Sequence, residues 1–392
     1  MSSFSRLLCR SFCTSLQQQK PTSKPIAKLN KLIADLYKER DLKQLVQKFK
    51  QYSEIDRFRT NPRVYDTTVH RLATCKKPEL VEEILEDQKR YGDIGKEGFA
   101  VRLITLYGKA GMFDHARKVF DEMPERKCQR TVLSVNALLG ACLSAKRLDK
   151  FEELLRELPG KLGVELDKVS YNVMINGFCE KGLFDDAVMA FDEMQKKGFE
   201  PDVITFATLF YWLYRKNRFA DGERMWALME KKNVTPSIRC YNSRLFGLVW
   251  EKGVSKAVEF VDEMRAKGVK PDVSTIEILI KGFCKDGNLE EAKKWYKEIR
   301  ECDSDPTKAT YAALIPLACK NGELDLAAKL CREILHIRCD VDEPLLQSAV
   351  DELVDGSKLE EAKKIVHLAR SNSHHRYKLK VPPPPTPPPS DS

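Results

Sequence analysis

A 35-residue period constrains this chain more than any other feature of its sequence. Segments starting at Val203, Ile238 and Val273 read VITFA, IRCYN and VSTIE, each 35 residues after the one before. The register runs back to Lys168, Val132, Glu97 and Pro62 and forward to Lys308 and Glu343, with one step of 36 between Val132 and Lys168. A degenerate unit precedes, from about Ala27. The twentieth position is Ala at 116, 187, 257, 292, 327 and 362. The twenty-seventh is Met123, Met194, Met229 and Met264, then Ile299 and Ile334. The thirty-fourth is Pro201, Pro236, Pro271 and Pro306. Several offsets in one phase mark a repeated supersecondary unit.

The unit reads as a helical hairpin. In 168–202, Tyr171, Met174, Ile175 and Phe178 fall at spacings of three and four and line one face of a first helix. Gly182 breaks it; Phe184, Ala187, Val188, Phe191 and Met194 line a second helix that Gly198 and Pro201 stop. One hairpin cannot cover both apolar faces, so neighbours must stack. The expected fold is all-α: a right-handed α-solenoid of about nine 35-residue helix-turn-helix repeats over 62–370, capped by 27–61.

The formal net charge of +9 is carried by the ends: residues 1–61 hold 13 basic and 5 acidic groups, residues 370–392 hold 4 and 1, and the array between is nearly neutral. A broad phosphate-sweeping surface is therefore not expected; RNA contact in the array needs a local stripe. No stretch nears the roughly 18 uncharged apolar residues of a membrane span, so no membrane insertion is expected. The twelve cysteines include no Cys-x-x-Cys, which argues against a zinc or disulfide framework. Residues 1–26 lack acidic groups and carry Arg6 and Arg10 among serines, Leu and Phe, the pattern of an organelle transit peptide. Early arginines favour the mitochondrion over the chloroplast, with removal near Phe12. Residues 371–392 read as a basic, then proline-rich, disordered tail that stands in solvent or docks in an aromatic groove.

The stretches YNVMINGFCEKGLFDDAVMAFDEMQKKGFEPD (171–202) and GFCKDGNLEEAKKWYKEI (282–299) resemble the pentatricopeptide repeat family, with a P-type array covering about 62–370. Repeats of this kind read RNA one base per unit. The resemblance implies that the fifth and last residues of each unit meet the base edge, the second wedges between bases, and a basic thirteenth residue meets a phosphate. Carried over, it implies base-reading pairs Asn136 with Asp167, Asn172 with Asp202, and Asn242 with Asp272. These match the family's uridine-leaning pair. Leu133, Val169 and Ile204 become wedges, and Lys109, Arg215, Lys285 and Lys320 phosphate contacts. Asp66, Val101, Ala207, Glu277 and Ala312 at the fifth position fit no clear reading, and Arg239 and Ser274 are atypical wedges.

Three legible bases cannot select one site in a transcriptome. LYGKAGMFDHARKVFDEMPERKCQRT (106–131) and ELPGKL (157–162) further resemble the small pentatricopeptide proteins of plant mitochondrial ribosomes. The expected role is a non-catalytic, RNA-binding component of the mitochondrial small ribosomal subunit, contacting rRNA and neighbouring proteins. A free RNA-binding factor for stability, processing or translation of organelle transcripts is the alternative. No phosphate loop, nucleophile elbow, metal-binding His pair or deaminase signature is present. No enzyme activity, cofactor, metal or small-molecule substrate is therefore expected.

Overall fold

The computed structural model describes residues 23–301, 305–337, 339, 341–371 and 377–383. Among them are 21 α-helices, two short 3-10 helices and no strand. The nine starts read from the period are the first residues of nine helices: Pro62, Glu97, Val132, Lys168, Val203, Ile238, Val273, Lys308 and Glu343. A second helix begins sixteen residues after each, from Pro78 to Leu359. Ahead of them lie helices Ser23–Lys38, Leu42–Tyr52 and Asp56–Arg59, where the degenerate unit was expected. Residues 1–22 of the expected transit peptide lie outside the described residues, as do 372–376 and 384–392.

The chain divides into two compact parts, one up to Leu209 and one from Phe210. Within each, a first helix packs against its own second helix and against the first helix of the next unit. First helices are therefore buried on several sides. In Lys168–Lys181 the predicted Tyr171, Met174 and Ile175 are buried, and so are Val173, Asn172 and Asn176 between them. Second helices are covered on one side only. Helix Phe184–Lys196 buries Ala187, Ala190, Phe191 and Met194, while Val188 is exposed and Met189 is 68% exposed. Placing Val188 in the core is thus a correction: the buried stripe follows the three-and-four spacing through Ala190, which turns Val188 outward.

The phase marks are packing positions. All six Ala residues at the twentieth position and all six Met or Ile residues at the twenty-seventh are buried. Each fully buried Met or Ile contributes about 1.5–3 kcal/mol by leaving water. Local chemistry sets the helix ends. Asp167 and Asp272 close capping boxes with Ser170 and Thr275, and Gly182 ends its helix at φ 82°, a left-handed conformation costly for any residue with a Cβ. The single 36-residue step is absorbed in helix Leu148–Leu162, which is 15 residues long, contains Pro159 and ends on left-handed Gly163. In the second part Tyr214 fits between Gly222 and Gly247, where a Cβ would stand 2.5 and 2.3 Å from its ring. Its hydroxyl donates to Glu223 at 2.7 Å.

The tail departs from expectation. Ser371 ends the last helix, and Tyr377–Lys380 lies against the last unit where a tail in solvent was expected. Tyr377 and Leu379 are buried. The Lys378 amide donates to Glu343, and Gln347 exchanges two 2.9 Å hydrogen bonds with the Lys380 backbone. Lys378 falls 35 residues after Glu343, so this segment sits where a next unit would begin. Two apolar side chains and a backbone-pairing carboxamide hold it despite its basic composition.

Candidate nucleic-acid interface

The fifth residue of a unit and the cap of the next first helix are hydrogen-bonded at two of the three junctions that carry a predicted Asn–Asp pair. At Asn136, which is 3% exposed, the amide donates to Asp167 at 3.0 Å and the carbonyl oxygen accepts from Ser170 at 2.7 Å. The Asn242, Asp272 and Thr275 junction repeats both bonds at 3.0 and 2.7 Å. In both, Asn thus shares one Asp with the capping box of the following helix. Glu277 occupies a fifth position too and accepts from Thr307 and Thr310. A fifth residue that fits no base-reading rule therefore performs the same junction role.

The middle pair is built differently. Asn172 is buried, and its carbonyl oxygen has no hydrogen-bond partner among the described residues. Asp202 instead holds the Lys168 ammonium at 2.6 Å and accepts from the Ile204 and Thr205 amides at 2.9 and 3.1 Å. Burial pushes the Asp202 carboxyl up, but the Lys168 contact and the amides outweigh it and hold the group below its ordinary value. The wedge candidates Leu133, Val169 and Ile204 are all half-buried.

The four cationic candidates are not equivalent. Lys109 is 17% exposed and bound to Asp66 of the preceding unit at 2.6 Å. Arg215, Lys285 and Lys320 are exposed and form no ion pair among the described residues. The Arg215 guanidinium lies 4.8 Å from the Tyr211 ring and 4.8 Å from the Phe246 ring. Phe246 stacks on Trp250 at 4.7 Å and 13°, and the Lys285 ammonium lies 5.3 Å from the Trp250 ring. Tyr211 and Phe246 are ninth residues, and Trp250 fills the thirteenth slot where neighbouring units carry a cation. The sequence signal for these aromatics was their shared phase, four residues apart on one helix face; the cation rule passed over Trp250 because it carries no charge.

Not every arginine here is open. Arg244 lies 4.6 Å from Trp226 and grips both oxygens of Glu223 at 2.9 and 2.6 Å. Cys284 and Cys319, two of the three twelfth-position cysteines, are half-buried, and burial pushes each thiol up to about 11. At neutral pH that keeps them protonated and weakly nucleophilic. Among the described residues no group of His, Cys, Asp and Glu could hold a metal ion, and no helix is long and apolar enough to cross a membrane.

Family comparison agrees with the period. The PPR repeat family matches residues 166–215 and 236–285, and the PPR repeat matches 102–128 and 276–304. Over those residues the chain matches pentatricopeptide repeats. Two Arabidopsis thaliana proteins are similar to this chain. Small ribosomal subunit protein mS79 (rPPR3b) is 48% identical over 207 residues, 50% of this chain and 52% of the relative. Small ribosomal subunit protein mS78 (rPPR3a) is 56% identical over 160 residues, 41% of this chain and 40% of the relative. The chain thus spans about half the length of the curated relatives it matches. The solved structure of the pentatricopeptide repeat protein PPR10 in complex with an 18-nt psaJ RNA element superposes with TM-score 0.53 at 16% identity, covering 93% of this chain and 52% of that one. At that identity the likeness concerns the fold alone.

Proposed function

We propose that this pentatricopeptide protein is a non-catalytic, RNA-binding component of the mitochondrial small ribosomal subunit, contacting rRNA and neighbouring proteins. The observation that carries the reading is the identity of 48% and 56% to two small ribosomal subunit proteins. The geometry supports it. Two of the three predicted base-reading Asn residues, Asn136 and Asn242, spend their polar atoms on the next helix cap, which suits a scaffold held by shape more than a reader of a long sequence. Asn172 and Asp202, the wedges Leu133, Val169 and Ile204, and the cations Arg215, Lys285 and Lys320 remain the RNA-contact candidates of this reading.

The test is sedimentation of a mitochondrial lysate with detection of the protein, with and without EDTA and RNase. The expected result is co-migration with the free small subunit after EDTA. Migration at the top of the gradient under every condition would overturn the ribosomal assignment and favour a free RNA-binding factor.

A further inference from the structure

The stack Tyr211–Arg215–Phe246–Trp250–Lys285 is used by none of the base-reading positions. It lies wholly in the second part of the chain and joins the first helices of three consecutive units. Three of its contacts, at 4.8, 4.8 and 5.3 Å, join a cation to a ring, and the fourth, at 4.7 Å, stacks Phe246 on Trp250. All lie within cation–π or stacking range. Trp250 is 39% exposed, an unusual placement for the largest apolar side chain.

Two physical facts select the ligand. A guanidinium held 4.8 Å from each of two rings keeps its five N–H donors for other partners, and their planar fork matches the oxygens of a phosphate. No carboxylate neutralises Arg215 or Lys285 among the described residues, unlike Arg244 with its Glu223. The stack therefore presents unpaired positive charge at both ends and an exposed indole between. An acidic protein surface satisfies the charge and leaves the indole unused. An RNA duplex offers phosphates while its base faces are hidden in the helix. A single strand supplies both phosphates and unstacked bases.

We infer that this stack is a sequence-indifferent contact for single-stranded RNA, in which Trp250 stacks on an unpaired base and Arg215 and Lys285 take the flanking phosphates. The inference rests on the RNA-binding reading above and specifies where and how the RNA is held. Lys285 is the mobile member: its four-carbon stem lets the ammonium move from the indole to a phosphate as the base arrives.

The test uses the full chain and fluorescein-labelled 18-mers, oligo(U), oligo(A) and a duplex of the same length, followed by anisotropy over a salt series. Trp250→Ala is expected to weaken oligo(U) and oligo(A) alike, by about 5- to 100-fold, as loss of one base stack does elsewhere. It should leave the duplex unaffected, and Trp250→Phe should keep most of the affinity. The double variant Arg215→Ala/Lys285→Ala should flatten the single-strand salt slope by about 1.4, at roughly 0.7 per phosphate contact. Wild-type affinity in Trp250→Ala, or equal loss on duplex and single strand, overturns the stack while leaving RNA binding intact. Absence of binding to any probe by the wild-type chain overturns both. Unchanged RNA binding combined with loss of ribosomal co-sedimentation in Trp250→Ala would assign the surface to a protein and overturn the inference.

Discussion

The two compact parts are built on one repeat phase and fill its thirteenth position in opposite ways. Up to Leu209 the slot is neutralised from neighbouring units: Asp66 holds Lys109, and Lys146 holds Glu180. From Phe210 onward the same slot carries Arg215, Trp250, Lys285, Lys320 and, in the last unit, Asp355, and none of the three cations has a carboxylate partner among the described residues. The fifth position shows no such divide, since Asn136 in one part and Asn242 in the other make the same pair of bonds. Phase decides where a side chain stands. Whether that side chain is available to a ligand is decided by what the adjacent unit places opposite it.

This contrast is open to direct attack. The largest effect is expected from closing the second part: Trp250→Glu removes the indole and sets a carboxylate between Arg215 and Lys285, and anisotropy on oligo(U) should show a fall of at least about tenfold. Unchanged affinity would mean that the two parts do not differ in RNA contact. Next comes the difference between closed and open junctions. Asn136→Ala removes two hydrogen bonds, to Asp167 and from Ser170, and should cost about 1–3 kcal/mol, whereas Asn172→Ala removes an unpartnered carbonyl and should cost less than about 1 kcal/mol. Urea unfolding followed by circular dichroism compares them, and equal losses would erase the distinction.

A smaller effect comes from opening the first part. Asp66→Ala removes one carboxylate partner of Lys109, which should steepen the salt dependence of single-strand binding by up to about 0.7 and raise affinity at low salt. No change would show that Lys109 stays out of reach of RNA without Asp66 as well. The smallest effect concerns pH. The Asp202 carboxyl titrates below its ordinary 3.8 in the folded chain, so its pairing with Lys168 stabilises the fold above that value and is lost as pH falls through the lowered one. The thermal midpoint gap between wild type and Lys168→Ala should therefore shrink on going from neutral to strongly acid solution. A gap independent of pH would remove the ion pair from the account of this junction.

The hairpins were legible because Gly, Pro, Ala and Met recur at fixed offsets, and each does one physical job: ending a helix, allowing close approach or filling the interior. That is why all nine first-helix starts coincide with the period, and why even the 36-residue step could be located before its extra residue was seen in helix Leu148–Leu162. The candidate site was legible only in outline. Lys109 looked like its counterparts at the same position, and its neutraliser Asp66 lies 43 residues away, a pairing set by unit-to-unit stacking and invisible within one repeat. Val188 was misplaced for the opposite reason: within one helix, spacing alone does not say how wide the covered stripe is. Tyr377 and Leu379 sit in a segment whose lysines and prolines outweigh two apolar residues in any reading by composition.

The closed junctions also change what recognition means at those positions. At Asn136 one amide hydrogen and one carbonyl lone pair are committed to Asp167 and Ser170, so a base that takes either of those bonds makes an exchange, and its free energy is the difference between two similar bonds. At Asn172 the carbonyl oxygen has nothing to surrender, and a base donor reaching it adds a bond. Discrimination between bases should accordingly concentrate at one unit out of three. Because Asp167 also caps the following helix, engaging Asn136 loosens the joint between two units, and ligand and lattice of repeats then compete for the same few atoms.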